Sequence, residues 1–203
     1  MLIGVLVVDD HLVVRKGVRA LLTDADDVTV VGEAEDGMEA VTEARRLRPQ
    51  VILMDLKLPC LDGVEATRAI LAEQPDVGVL VLTATEGDEQ VLAAVEAGAL
   101  GYLAKTSKRD DFLLAIRQVA RGELWLPPRL TRKLLAHLKP RSGGSGEALT
   151  SRESGVLSLL AKGRSNHQIA QELNIAEATV RTHVSHILDK LGVSNRVEAA
   201  LQA

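Results

Sequence analysis

Between residues 2 and 120 the chain alternates five short aliphatic runs with five amphipathic stretches, and nothing else in it restricts the fold as strongly. Leu2 to Val8, Val28 to Ala34, Val51 to Met54, Val77 to Leu82 and Gly101 to Leu103 are brief, apolar and bounded by Asp, Gly or Pro, as strands are. Leu12 to Leu22, Gly37 to Leu47, Val64 to Leu71, Glu86 to Ala97 and Arg109 to Ala120 repeat apolar residues at three- and four-residue spacing, as helices do. Strict alternation of the two predicts an open parallel sheet with helices on both faces. Such strands are buried from two sides, which is why their sequences are nearly continuous in apolar residues.

The pattern stops after residue 122. Pro127, Pro128 and Pro140 bracket a basic stretch, and residues 141–146 have the composition of a flexible linker. Charge divides the chain in the same places: 13 basic and 22 acidic residues in 1–125, 5 and 0 in 126–146, and 6 and 6 in 147–203. The expected organisation is therefore an α/β domain over 1–125, a basic connector and linker over 126–146, and a small all-α domain over 147–203. The last has no strand candidates. Thr150 with Glu153 and Ser165 with Gln168 are capping-box spacings, Ser194 can cap a further helix, and Gly163 and Asn174 can end helices in the left-handed conformation. Four helices are expected at about 150–162, 165–173, 177–191 and 195–202.

Overall composition excludes several classes. The formal net charge of -4 rules out a polybasic protein that coats nucleic acid or lipid through bulk charge. The single Cys60 cannot form an intramolecular disulfide. No apolar run approaches the roughly 18 residues of a membrane span, and no basic leader precedes Asp9, so a cytoplasmic protein without a membrane partner is expected.

In parallel α/β sheets the ligand site lies outside the carboxyl ends of the strands. Here those ends carry Asp9 and Asp10, Asp55, Thr83 and Lys105. If the strands take the flavodoxin-like order 2-1-3-4-5, these side chains meet at one crevice. Three carboxylates and an ammonium make a hard-oxygen site suited to Mg²⁺. A phosphoryl group on Asp55 accounts for the remaining residues, because Lys105 can pair with one of its oxygens and the Thr83 hydroxyl can donate to another, with Asp55 as the nucleophile. A single strand-end Asp is ordinarily a turn or helix cap, and Asp62-Gly63 reads as no more than that. Five such positions in order are not explained that way. His11 is a weak signal by itself.

These residues resemble the receiver domain of two-component response regulators: Val7-Val8-Asp9-Asp10-His11, Asp55 with Leu58-Pro59 and Asp62-Gly63, Leu82-Thr83-Ala84, and Gly101-Tyr102-Leu103-Ala104-Lys105. The resemblance implies that Asp55 accepts phosphoryl from a sensor histidine kinase and that Asp9, Asp10 and Asp55 hold Mg²⁺. It also implies that Thr83 and Tyr102 form a switch pair. Lys57 offers the metal only its backbone carbonyl, since its side chain has no acceptor. Leu58 stands where the family more often has Met, a similar apolar volume.

Plotted at 100° per residue, the 177–191 helix places Val180, Val184, Ile187, Leu188 and Leu191 on one stripe. Ala178, Arg181, Thr182, Ser185 and Asp189 fall opposite. That small polar face suits a major groove of double-stranded DNA, where Arg reads guanine and Thr meets a thymine methyl. Leu149 to Glu153, Gly163 to Asn166, Ile169-Ala170, Leu173, Thr179-Val180, His183, Ile187, Lys190-Leu191 and Arg196 resemble the LuxR-type helix-turn-helix domain. The whole chain is thus similar to NarL/FixJ-type response regulators. By that resemblance Arg181, Thr182 and Ser185 read bases, and Asn166, Thr179 and Lys190 contact phosphates. It departs from the family at Ala176, where Ser usually caps the recognition helix, and at Gly155, usually large and charged.

A transcription regulator that forms a homodimer when phosphorylated is expected, with Val197, Ala200 and Leu201 able to form an interface or to cover the domain's own core. A competing possibility is an enzyme, an aspartate-nucleophile phosphohydrolase, which typically places a second acid two residues after the nucleophile; here that residue is Lys57. A dinucleotide-binding domain is excluded because no Gly-x-Gly-x-x-Gly follows the first strand. The helical segment could be a mere packing or dimerisation module, and the α/β segment could be a receiver that has lost its switch. The complete set Asp9, Asp10, Asp55, Thr83 and Lys105 disfavours the lost switch.

Overall fold

The computed structural model describes residues 2–84, 88–127, 130, 133, 148–164, 166–193 and 196–202. It separates into two compact units, one of residues 1–120 and 124–126, the other of 121–123 and 127–203. Ser165, Ser194, Pro128, Pro140 and the linker 141–146 lie outside the described residues.

In the first unit five strands, β1 (Ile3–Val8), β2 (Val28–Ala34), β3 (Val51–Met54), β4 (Gly78–Thr83) and β5 (Gly101–Ala104), form one sheet in the order β2-β1-β3-β4-β5. Every pair is parallel. Helices α1 (Leu12–Leu22), α2 (Gly37–Leu47), α3 (Gly63–Glu73), α4 (Asp88–Glu96) and α5 (Arg109–Ala120) connect and follow them. All residues of β1, β3 and β4 are buried, whereas the edge strand β2 is mostly half-buried, so the apolar continuity of each strand follows its place in the sheet. Backbone pairing runs on past the strand ends. Asp9 N–H donates to Ala34 O at 3.1 Å, Asp55 N–H to Val8 O at 2.9 Å, and Lys105 N–H to Thr83 O at 2.9 Å.

Two glycines fix the loop behind Asp55. A Cβ on Gly63 would stand 2.0 Å from the carbonyl oxygen of Asp55, and one on Gly37 would stand 2.1 Å from that of Leu61. Asp62 caps α3 by accepting from the N–H groups of Val64 and Glu65 at 2.9 and 2.8 Å, so the turn expected at Asp62-Gly63 is present. On the far side, Trp125 pairs with the outer edge of β5: its N–H donates to Leu100 O at 2.9 Å and its carbonyl accepts from Tyr102 N–H at 3.0 Å.

The second unit contains α6 (Ser151–Ala161), α7 (Asn166–Leu173), α8 (Glu177–Leu191) and α9 (Arg196–Leu201). Thr150 and Glu153 form the reciprocal capping box, Gly163 has φ 74°, and Asn174 has φ 52°. Val156, Leu160, Ile169, Val180, Ile187 and Ala199 are the centre of its core, with Val184, Leu188 and Leu191 packed around them. Of the stripe expected at the end of the chain, Val197 is buried and Ala200 is half-buried; the side chain of Leu201 lies outside the described residues.

Both departures in the helical unit leave room for repair. Ala176 caps α8 without a side-chain bond, and a Cβ on Gly155 would meet nothing within 4 Å. Gly155→Ala and Ala176→Ser should each add about 1 kcal/mol in urea unfolding of this unit. Gly63→Ala should instead cost about 1–3 kcal/mol in the α/β unit, since backbone must move to admit the methyl.

Candidate phosphoryl-acceptor site and nucleic-acid interface

Parallel strands put Asp9, Asp55, Thr83 and Lys105 at one edge of the sheet, at the ends of β1, β3, β4 and β5 respectively. Asp9 and Asp55 are 0% and 5% exposed, and Thr83 is also buried. The Lys105 ammonium lies 2.7 Å from Asp55 Oδ2 and 2.6 Å from Asp9 Oδ2. Burial opposes the charge on Lys105, but the hydrogen bond to Asp55 and the close negative charges of Asp55 and Asp9 outweigh it and raise its pKa above the ordinary lysine value. Asp55 Oδ1 accepts from Leu56 N–H at 2.7 Å, which turns its second oxygen toward Lys105. Tyr102 is buried on β5, three residues before Lys105.

Asp10 is exposed at the rim, with His11 Nδ1 2.6 Å from its Oδ1. Asp9 Oδ1 accepts from His11 N–H at 2.9 Å. The contact of Asp9 Oδ2 with Lys105 is a close charge pair without aligned hydrogen-bond geometry, and no other donor among the described residues reaches this buried oxygen. A buried carboxylate oxygen with spare acceptor capacity, next to an exposed carboxylate, fits a hard divalent cation. In this side-chain arrangement Asp9 and Asp10 cluster with His11 within 4.8 Å, and Asp55 joins them through Lys105. The Lys57 side chain is exposed.

Arg15 went unnoticed in the sequence. It is buried on α1, donates to the Asp9 carbonyl at 2.6 Å, and lies 3.5 Å from Glu33 and 3.7 Å from Glu35. Its position one turn into a helix that starts beside the acidic pair was the available signal.

In the helical unit α8 follows α7 after a three-residue turn. Ala178, Arg181, Thr182, Ser185 and Asp189 are all exposed, as the helical plot predicts, and Thr179 is exposed as well. Arg181 lies 3.8 Å from Glu177, and the Thr182 hydroxyl donates to Ala178 O at 3.2 Å. Two residues expected at phosphates are not exposed here. Asn166 is 3% exposed at the start of α7. Lys190 Nζ is held 2.8 Å from Glu153 Oε2, with both side chains largely buried. In this arrangement neither side chain is exposed, and Lys190 is paired within the domain.

The bond from Lys190, followed by those from Thr150, pulls the Glu153 carboxyl down to about 2. A depressed carboxyl pKa stabilises the fold above the ordinary value of 4.5 and loses that contribution as pH falls toward 2. The stability advantage of wild type over Glu153→Gln should therefore be constant above about pH 5 and shrink across this window, measured by urea unfolding of the helical unit at each pH.

Family models agree with both units: the response regulator receiver domain matches residues 5–117, and the luxR family of bacterial regulatory proteins matches 147–203. The transcriptional regulatory protein LiaR of Bacillus subtilis is 45% identical over 205 residues, covering 100% of this chain and 97% of that protein. The response regulator protein VraR of Staphylococcus aureus is 43% identical over 203 residues, with the same shares. Among solved structures, the response regulator ChrA of a heme-sensing two-component system aligns with TM-score 0.55 and 42% identity, over 98% of this chain and 94% of that one. RcsB, in a structure of two RcsB dimers bound to two parallel DNAs, aligns with TM-score 0.59 and 27% identity, over 100% and 97%.

Proposed function

Because the chain belongs to the response regulators that join a receiver domain to a LuxR-type DNA-binding domain, and so regulates transcription, we propose that phosphorylation of Asp55 switches its binding to DNA. The observation that carries this reading is the Lys105 ammonium held between Asp9 and Asp55 at the carboxyl edge of the sheet. Residues 1–125 are the receiver, 126–146 the connector and linker, and 147–203 the DNA-binding domain.

The phosphoryl donor is a phosphohistidine of a sensor histidine kinase. A carboxylate oxygen of Asp55 attacks phosphorus, the P–N bond breaks, and the kinase imidazole leaves with its electron pair. Lys105, already charged beside Asp55, pairs with a phosphoryl oxygen, and the Thr83 hydroxyl donates to another. Asp9, Asp10, Asp55 and the Lys57 carbonyl would hold Mg²⁺, which would supply neutralising charge to the phosphoryl oxygens. Thr83 and Tyr102 are the switch pair. The only chemistry is the protein's own phosphoryl transfer and slow dephosphorylation, so it acts as a regulator and not as an enzyme on other substrates.

The output is sequence-specific binding of double-stranded DNA. Arg181, Thr182 and Ser185 are the base readers and Thr179 a phosphate contact, a reading supported by the exposure of all four on α8. A phosphorylated homodimer doubles the contacts available to a domain of balanced charge. The kinase and the DNA are the partners, and a cytoplasmic site of action suits both; no described helix is long and apolar enough to cross a membrane.

Asp55→Asn keeps the side-chain shape but lacks the nucleophile. It should take up no phosphate from acetyl phosphate and Mg²⁺ by mass spectrometry, and stoichiometric uptake by this variant would falsify the assignment. Arg181→Ala should narrow the ratio of operator to random-DNA affinity by about 10-fold or more at fixed salt, the loss of one bidentate base contact. Equal weakening on both DNAs makes Arg181 a backbone contact.

A further inference from the structure

The phosphoryl chemistry above leaves His11 unused. The residue occupies the N-cap position of α1, yet its side chain makes no capping bond and is 70% exposed. Its Nδ1 lies 2.6 Å from Asp10 Oδ1 and 3.5 Å from Asp9 Oδ1, and one ligand atom from each of the three residues falls within 4.8 Å of the others. Two ligands bonded to one ion at about 2.1 Å stand about 3.0 Å apart at a right angle and about 3.4 Å at the tetrahedral angle. The two separations from His11 bracket those values and the two carboxylate oxygens lie within 4.8 Å of one another, so modest side-chain rotations bring the three atoms onto one cation. Asp9 supplies the fixed part: its side chain is fully buried, its carbonyl is held by Arg15, and its Oδ2 stands beside Lys105, which leaves Oδ1 as the oxygen facing His11.

Carboxylate and carbonyl oxygens alone favour Mg²⁺, which binds few nitrogen ligands and keeps its waters. An imidazole nitrogen in the same cluster shifts the preference toward first-row transition ions. We propose that Asp9, Asp10 and His11 form a nitrogen–oxygen site for a borderline divalent cation of the Co²⁺ or Zn²⁺ class. This site is distinct from the all-oxygen Mg²⁺ set, which uses Asp55 in place of His11. The cation takes the Nδ1 lone pair of the tautomer that carries its proton on Nε2. Asp9 and Asp10 are common to both sets, so the two kinds of cation exclude one another; this competition rests on the Mg²⁺ reading given above, whereas ligation by His11 does not.

The test is calorimetric titration of the full chain with Co²⁺ and, separately, with Mg²⁺, in wild type, His11→Ala and Asp10→Ala. His11→Ala should weaken Co²⁺ by about 10-fold or more while leaving Mg²⁺ affinity within about twofold, and Asp10→Ala should weaken both. Electron paramagnetic resonance of the Cu²⁺-loaded protein should show nitrogen hyperfine coupling that is reduced in His11→Ala. Because His11 is exposed and makes no side-chain cap, the circular dichroism of this variant should match wild type. Equal Co²⁺ affinity in His11→Ala and wild type overturns the proposal, as does Co²⁺ binding that is insensitive to Asp10→Ala. A His11-dependent Co²⁺ site in a protein that binds no Mg²⁺ overturns the Mg²⁺ reading and leaves this one standing.

Discussion

One ammonium group holds the functional edge of the receiver together. Asp9 and Asp55 leave adjacent strands side by side, and two buried carboxylates so placed repel each other unless a cation stands between them. Lys105, arriving from β5, meets both within 2.7 Å. The strand order is what makes this possible, since β1 and β3 must be neighbours and β5 must close the same side. Gly63 is part of the same constraint: the helix after Asp55 begins so close to its carbonyl that no side chain fits between them. Arg15 completes it from the opposite side by fixing the backbone of Asp9.

The DNA-binding unit repeats the strategy with other residues. Glu153 caps α6 and at the same time accepts from Lys190 on α8, so one carboxylate ties the start of the first helix to the end of the recognition helix. Burying such a pair contributes less to stability than an apolar pair of similar volume often does, but it fixes one relative position of the two helices. That position presents Arg181, Thr182 and Ser185 together on the exposed face.

Much of this was legible in the residues. Helices Leu12–Leu22, Gly37–Leu47, Arg109–Ala120 and Glu177–Leu191 have the bounds that apolar periodicity predicts, because each buries one stripe on its own unit. The acidic pair, Asp55, Thr83 and Lys105 were legible because strand ends in a parallel sheet share an edge. Partners chosen by tertiary packing were not. Lys190 was expected at a phosphate from the family resemblance, but it meets Glu153 at the start of α6. Asn166 was likewise expected to face a phosphate, but the packing of α7 buries it. Arg15 carries a residue type that periodicity assigns to solvent, yet the charges of Glu33 and Glu35 and the Asp9 carbonyl draw it inward.

A parallel sheet of five strands has two unfinished margins, and this one treats them differently. On β2 the side facing α1 carries Glu33, ringed by Lys16 and Arg19, and a charged rim of that kind discourages another strand from pairing. On β5 the protection comes from backbone: Trp125 occupies the hydrogen-bonding positions of Leu100 and Tyr102. A foreign strand can join there only by displacing Trp125. The segment just after α5 therefore serves as a plug against edge-to-edge association, and any motion that draws it away leaves the rim beside Tyr102 able to template aggregation.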